Sequence, residues 1–164
     1  MIFVTVGTQL PFDRLIQAID QWAAVNRGVE VFAQIGPSKF RPTHLRSAEF
    51  ISPTDAERYT KEAQLVVSHA GMGSILTALK HQRPILIVPR KASLGEHRNE
   101  HQLATARWMV QRPGVTVAWD EQEVVNCLNR RDAIATGGRI PDVASGPLVD
   151  RLRQFIFNAK VSEP

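Results

Sequence analysis

Short apolar segments alternate along the chain with longer segments in which apolar residues recur at helical spacing. The short segments are branched and bounded by Gly, Pro or polar residues, which is typical of strands buried on both faces of a sheet. They predict six strands, at residues 2–6, 29–35, 49–51, 65–67, 85–88 and 115–118. Strands that alternate with helices indicate an α/β fold, with a parallel sheet, right-handed crossovers and helices on both faces.

The intervening segments predict the helices that cover this sheet. Ser52 as N-cap and Pro53 at the first helical position begin a helix through residue 63, and Asp120 caps another through residue 128. Another helix is predicted to start near Asp13, and three more are predicted at 74–80, 100–111 and 147–159. The apolar side of the helix 100–111 is predicted to consist of Leu103, Ala104, Trp108 and Met109. We expect one domain over residues 1–160, ending in the helix 147–159 and a tail at 161–164.

The segment after the strand 65–67 reads Ser68-His69-Ala70-Gly71-Met72-Gly73-Ser74 and then opens into a helix. We expect Gly71 and Gly73 to let the backbone turn sharply and approach a ligand closely. A helix N-terminus has free N–H groups and a partial positive charge, so it favours an anion such as a diphosphate. The alternative is that the two glycines only shape a strand-to-helix turn.

Three polar loops follow predicted strands: Gly7-Thr8, residues 68–74 and residues 89–102. The carboxyl ends of parallel strands share one edge of the sheet, and ligands of such folds bind beyond that edge. We therefore expect these loops to converge on one ligand site.

Composition limits the classes of function. The chain has 164 residues, is 43% hydrophobic and 22% charged, and carries a formal net charge of +4, which is ordinary for a soluble domain and does not indicate disorder. The positive charge suits an anionic ligand, an acidic partner or a membrane surface. The basic residues are scattered without interleaved aromatic residues, so nucleic acid is not the expected partner.

The lack of a recognisable targeting signal and of a second cysteine predicts a cytoplasmic location. Cys127 is the only cysteine, so no internal disulfide can form, and its place in the helical pattern predicts burial. The opening segment has no basic leader and begins on a core strand, so we expect no signal peptide and no preceding domain. No apolar segment approaches the ~20 residues of a membrane span.

The motifs together resemble the C-terminal, donor-binding half of the GT-B glycosyltransferases, which is Rossmann-like. The resemblance rests on Val4 to Thr8 with Phe12 to Ile16, on the His-Ala-Gly-Met-Gly-Ser turn, on Pro84 to Pro89, and on Glu100-His101-Gln102. It is strongest with the one-domain branch of glycosyltransferase family 28. That branch includes the catalytic subunit of the dolichol-linked GlcNAc transferase and the PssE-type subunits of bacterial exopolysaccharide synthesis.

The resemblance implies a UDP-sugar site in which the glycine turn holds the donor diphosphate. Related enzymes bind the ribose hydroxyls with a Glu eight residues after the histidine, where this chain has Thr77. The resemblance implies that Gln102, after His101, contacts the donor sugar. The implied donor-binding residues are Gly7, Thr8, Ser68, His69, Gly71, Met72, Gly73, Ser74, Thr77, Pro89, Glu96, His101 and Gln102.

The resemblance also implies a partner and a lipid-linked acceptor. A second, membrane-anchored polypeptide would supply the acceptor-binding half, the general base and the membrane attachment. No cofactor or metal ion is implied, because backbone N–H groups can neutralise the leaving diphosphate. His69 is the candidate catalytic group of this chain, with a purely structural role as the alternative. The last helix, near Phe155 and Phe157, either docks on the partner or packs on its own sheet.

Three alternatives have a basis in the residues. His97-Arg98-Asn99-Glu100-His101 spells a zinc-peptidase pattern if it lies on one helix. Thr77 in place of Glu leaves open a non-catalytic accessory subunit that enhances a partner transferase. A dinucleotide-dependent oxidoreductase is disfavoured, because the first strand is not followed by the Gly-x-Gly-x-x-Gly fingerprint.

Overall fold

A computed structural model describes residues 1–137 and Arg151 of the chain. Six parallel strands form one sheet in the order β3-β2-β1-β4-β5-β6. The strands are β1 (Ile2–Thr5), β2 (Val31–Gln34), β3 (Arg46–Ala48), β4 (Leu65–His69), β5 (Ile85–Val88) and β6 (Val115–Val117). The helices are α1 (Asp13–Val25), α2 (Pro53–Glu62), α3 (Met72–Lys80), α4 (His101–Met109) and α5 (Glu121–Asn129), with single 3-10 turns at Ala92–Leu94 and Arg131–Ala133.

Apolar side chains on both faces of the sheet build two cores, as predicted for a doubly covered parallel sheet. Val4, Val67 and Leu86 point to the face covered by α1 and α5. Phe3 and Val66 point to the face covered by α3 and α4. The two predicted N-caps are confirmed, because the Ser52 side chain accepts a hydrogen bond from Asp55 N and the Asp120 side chain accepts one from Glu123 N.

Strand order places the reversal of the sheet between β1 and β4. From β1 the chain adds β2 and β3 on one side, and from β4 it adds β5 and β6 on the other. In register, Thr5 lies opposite Ser68, which lies opposite Ile87. The carboxyl ends of β1, β4 and β5 are therefore level with one another, at the point where α/β folds bind ligands.

The third strand lies three residues earlier than predicted. It covers Arg46–Ala48, whereas the sequence predicted 49–51, and the apolar Phe50 is 51% exposed. The strand stands at the sheet edge, where Arg46 and Ser47 face solvent, so it needs no apolar pattern. The prediction was wrong because it was based on the apolar pattern of a central strand, which an exposed edge strand lacks.

The buried side of α4 also differs from the prediction. Its buried residues are Gln102, Ala106 and Met109, whereas Trp108 is 73% exposed and Ala104 faces solvent. Of the predicted apolar side, Met109 is buried and Leu103 is partly buried, so the prediction was wrong for Ala104 and Trp108. The apolar residues of this helix do not follow one stripe. Cys127 is partly exposed, contrary to the expected burial. The predicted helix 147–159, with Phe155 and Phe157, and the tail 161–164 lie outside the described residues.

Candidate functional site

Two cavities open at the carboxyl edge of the sheet, one on each side of the β4–α3 turn. The first, which we name the rim cavity, has a volume of about 270 Å³ and receives residues from all three predicted loops. It is lined by Val6, Gly7, Thr8, Gln9, Leu10, His69, Arg90, His97 and Gln102. The second, the α2–α3 cavity, has a volume of about 460 Å³ and includes Thr5, Glu57, Gly73, Ser74 and Thr77 among its lining residues.

The imidazole of His69 fills the space between the first and second loops. A Cβ added to Gly7 would lie 3.0 Å from His69 Cε1, and one added to Gly71 would lie 2.2 Å from His69 Nε2. Gly7 also has a φ of +77°, which side chains rarely adopt. Glycine is thus needed at both positions because the backbone packs directly against the imidazole ring. Ser68, on the same strand, is fully buried.

His69 is held in its neutral form. Burial, together with the positive charge of Arg90, lowers its pKa to about 4, against a hydrogen bond with the Thr5 backbone. A neutral imidazole retains one donor and one acceptor nitrogen at pH 7. In this position His69 is suited to hydrogen bonding with a ligand, and unsuited to supplying a positive charge.

The depressed pKa of His69 predicts a loss of stability in mild acid. The unfolded chain takes up a proton near pH 6.5 and the folded chain only near pH 4, so the stabilisation is complete above pH 6.5 and falls as the pH drops towards 4. We expect a loss of up to about 3 kcal/mol in unfolding free energy over this window. Urea unfolding at pH 7 and pH 5 checks it, and His69→Asn should flatten the pH slope. An equal slope in the variant would contradict the assignment.

The N-terminus of α3 is open to a ligand. The helix begins at Met72, two residues earlier than predicted, with Gly71 as N-cap and no side-chain hydrogen bond to the first turn. The N–H groups of that turn are therefore left as donors. Gly71 has a φ of −98° and Gly73 is a helical residue, so the turn forms without a left-handed conformation at either glycine. With glycine at both positions, no side chain of residue 71 or 73 shields the start of α3.

Arg90 is the site residue that the sequence analysis missed. Its side chain is 3% exposed and lines the rim cavity. Its Nη2 donates to Val6 O at 2.6 Å and to Leu10 O at 2.7 Å, and its guanidinium lies 5.0 Å from the centre of the Phe12 ring. Burial lowers the pKa of Arg90 to about 10, so it stays charged at pH 7. Its buried Nε has no hydrogen-bond partner in the described chain.

Glu96, which was predicted to contact the sugar donor, is hydrogen-bonded to other residues of the protein. Its carboxylate accepts from Arg14 Nε at 2.7 Å, from Arg14 Nη2 at 2.9 Å and from Lys91 N at 2.9 Å. Arg14 Nη2 also lies 3.4 Å from the carbonyl oxygen of Pro89, another predicted contact. These bonds fasten the 89–102 loop to the start of α1. Neither Glu96 nor Pro89 lines the rim cavity.

Gln102 and His101 face different surroundings. Gln102 is 9% exposed and lines the rim cavity, where its Oε1 accepts from Arg90 N at 3.1 Å. That bond leaves the two amide N–H donors of Gln102 for other partners. His101 is exposed at the start of α4 and does not line either cavity.

Thr77 and Met72 are separated from the rim cavity. Thr77 lines the α2–α3 cavity, but its hydroxyl donates to Gly73 O of its own helix at 2.8 Å. Met72 is 39% exposed and faces the groove between α3 and α4. Of the predicted residues, Gly7, Thr8, His69 and Gln102 therefore meet in one cavity, and Gly73, Ser74 and Thr77 in the other.

The zinc-peptidase pattern does not form the geometry that it requires. His97 lies in the loop before α4 and lines the rim cavity, while His101 is the first residue of the helix. The two imidazoles therefore do not share one helical face. Within residues 1–137 and Arg151, no group of three or more His, Cys, Asp or Glu side chains is arranged to hold a metal ion.

Comparisons with known proteins agree with this architecture. The sequence model of the glycosyltransferase family 28 C-terminal domain matches residues 1–122. UDP-N-acetylglucosamine transferase subunit ALG13 of Yarrowia lipolytica is 26% identical over 141 residues, which cover 76% of this chain and 67% of that protein.

Solved structures show the same fold. An NMR solution structure of ALG13 superposes with a TM-score of 0.60 at 20% identity, covering 92% of this chain and 93% of that one. The glycotransferase of kitacinnamycin superposes with a TM-score of 0.60 at 15% identity. The superposition covers 79% of this chain and 34% of that enzyme. The chain thus spans about a third of that enzyme. The predicted fold class, a Rossmann-like α/β domain of the GT-B type, is confirmed.

Proposed function

The chain belongs to the glycosyltransferase family 28 C-terminal domain family, and we propose that it is the donor-binding catalytic subunit of a two-part glycosyltransferase. The reaction moves a sugar from a UDP-sugar to a lipid-linked acceptor in glycan or polysaccharide synthesis. The observation that carries the proposal is the uncapped N-terminus of α3, which lies between two cavities at the reversal point of the sheet.

The two cavities suggest where the parts of a nucleotide sugar bind. The diphosphate binds the free N–H groups at the start of α3, near Gly73 and Ser74. The α2–α3 cavity, larger and partly apolar, takes the nucleoside. The rim cavity takes the sugar, with hydrogen bonds from the amide of Gln102 and from His69. The buried positive charge of Arg90, in the rim cavity, attracts the central diphosphate of the donor.

The chemistry proposed for this half is leaving-group stabilisation. The acceptor hydroxyl oxygen bonds to the anomeric carbon while the bond from that carbon to the diphosphate oxygen breaks, and UDP leaves. Backbone N–H groups at α3 stabilise the charge that develops on the diphosphate. The acceptor proton passes to a base on the partner chain, which leaves His69 to orient the donor rather than to transfer a proton.

A second chain is proposed to complete the enzyme. We assign residues 1–160 to one donor-binding half-domain and residues 161–164 to a tail. The acceptor-binding half would then be a membrane-anchored polypeptide that holds this chain at the cytoplasmic face. The Yarrowia relative is a subunit of a UDP-N-acetylglucosamine transferase, which supports the need for a second chain. In the part of the chain that the structure describes, no helix is long and apolar enough to cross a bilayer.

The test is sugar transfer in the reconstituted pair. The purified chain, mixed with membranes that contain its candidate partner and a lipid-linked acceptor, should transfer labelled sugar from a UDP-sugar, and neither component should do so alone. If the chain binds no UDP-sugar with or without the partner, the accessory-subunit alternative replaces the donor-half proposal.

Restoring the missing acid at residue 77 should strengthen binding of the ribose. Thr77 lines the cavity assigned to the nucleoside, and a Glu there would accept hydrogen bonds from the 2′- and 3′-hydroxyls, each worth roughly 1 kcal/mol or more. We expect Thr77→Glu to lower the Kd for UDP about thirtyfold. Calorimetric titration with UDP and with 2′-deoxy-UDP checks it, because the gain should shrink for the deoxy nucleotide. Equal gains would mean that the ribose lies elsewhere.

A further inference from the structure

α3 and α4 form an apolar groove on the outer surface of the domain. It has a volume of about 300 Å³ and is lined by Met72, Leu76, Leu79, Trp108, Met109, Gln111 and Arg112. Trp108 is 73% exposed and Leu76 is 46% exposed, and Val110, 50% exposed, follows directly after α4. Single exposed apolar side chains are ordinary, but a group of them around one groove marks an interaction surface.

The charge around this groove has one sign. The segments 72–80 and 101–114 contain Lys80, Arg107 and Arg112 but no Asp or Glu. Arg112 lines the groove itself, and Arg107 is exposed next to Trp108. Lys80 pairs with Glu57 on the side of α3 that faces α2, so Arg107 and Arg112 are the charged residues that these two segments place beside the groove. The surface that we name the α3–α4 face is therefore an apolar strip with two arginines beside it.

We propose that the α3–α4 face binds directly to a lipid bilayer that contains anionic lipids. Trp and aliphatic side chains favour the headgroup level of a bilayer, and Lys and Arg extend their charged ends to lipid phosphates while their alkyl stems stay in apolar surroundings. A bilayer supplies the apolar layer and the negative charge together. A protein partner would have to match the groove in shape and surround it with acidic groups of its own.

This contact goes beyond attachment through a partner chain. Met72, at one end of the face, is the first residue of α3, so the face begins at the helix terminus to which we assign the donor diphosphate. Lipid binding there would hold the donor site close to a lipid-linked acceptor. That consequence rests on the proposed function, whereas the lipid contact itself does not.

Vesicle binding of the full chain tests the proposal. Sedimentation with phosphatidylcholine vesicles should show binding only when phosphatidylglycerol is included, and added salt should weaken it. The tryptophan emission of the chain should shift to shorter wavelength and be quenched by brominated lipid, and both effects should be lost in Trp108→Phe, which keeps Trp22 and Trp119. The double variant Leu76→Ser/Trp108→Ser should bind at least about tenfold more weakly, and Trp108→Phe should bind nearly as well as the wild type.

A matched control lies on the other face of the sheet. Val25, at the end of α1, is 82% exposed, and Val25→Ser should leave vesicle binding unchanged. UDP titration of the double variant reports on the donor site separately, so failure of the lipid proposal is distinguishable from failure of the proposed function. Absence of binding to anionic vesicles, or equal binding by the double variant, would overturn the proposal. So would a double variant that keeps vesicle binding but loses self-association or binding to a purified protein partner.

Discussion

Replacing Gly73 with Asp should abolish measurable binding of UDP, with a rise in Kd of about a hundredfold or more. Gly73 lies in the first turn of α3, where the donor diphosphate is proposed to bind. A carboxylate there repels the diphosphate and competes for the same N–H groups. Calorimetric titration of UDP into the purified variant measures the loss.

The fold should tolerate this substitution, which makes the result interpretable. No atom lies within 4 Å of a Cβ added to Gly73. An acidic side chain in the first turn favours the helix dipole by roughly 0.3–1 kcal/mol, so unfolding free energy should hold or rise while binding is lost. Gly73→Asn, of similar size without the charge, should weaken binding far less. If Gly73→Asp binds UDP as the wild type does, the diphosphate does not lie at this turn.

Removing the buried guanidinium of Arg90 should cost about 2–4 kcal/mol of unfolding free energy. In Arg90→Met the carbonyl oxygens of Val6 and Leu10 lose the donor that they share, in a buried environment. A methionine fills much of the same space, so the cost comes chiefly from unpaired polar groups rather than from a cavity. Urea unfolding at pH 7 measures the change.

Comparison with an exposed arginine separates this effect from a general loss of charge. Arg107→Met, on the exposed side of α4, should change the unfolding free energy by no more than about 0.5 kcal/mol. Arg90→Lys should be intermediate, since one ammonium reaches fewer of the oxygens that the planar guanidinium reaches. An Arg90→Met variant as stable as Arg107→Met would contradict the role given to Arg90 in joining the first loop to the third.

The central strands and their loops were predictable because one physical pattern specifies them. β1, β4 and β5 are short, branched and apolar on both faces, and each ends at a polar or glycine-marked loop. The two N-caps, Ser52 and Asp120, were predictable for a similar reason, since capping depends on residues close in sequence. The meeting of three loops at one edge then follows from parallel topology.

The edge strand and the orientation of α4 could not be predicted, because no local pattern specifies them. β3 is exposed and held by backbone bonds to β2, so its side chains carry no periodic signal. Trp108 reads as a core residue by its chemistry, yet it is mostly exposed. Such residues become meaningful only when the surface that they share is known, as on the α3–α4 face.

Arg90 was missed because its function depends on distant parts of the chain. In the sequence it is one more charged residue of a polar loop, 84 residues from Val6, with which it forms a buried hydrogen bond. The family resemblance implied that Glu96 contacts the sugar donor, whereas in the structure Glu96 pairs with Arg14, 82 residues away. Long-range polar networks of this kind have no sequence spacing that reveals them. An arginine two residues after a core strand, as Arg90 is after β5, is the sequence feature to examine in related chains.

Following the backbone amides of the chain by NMR during titration with UDP tests whether the donor diphosphate binds at the β4–α3 turn. We expect saturable shifts centred on Gly71, Gly73 and Ser74, much smaller shifts with uridine, and none of these shifts in Gly73→Asp. Saturable binding whose shifts lie away from the β4–α3 turn, or no saturable binding with or without the partner chain, would contradict this expectation.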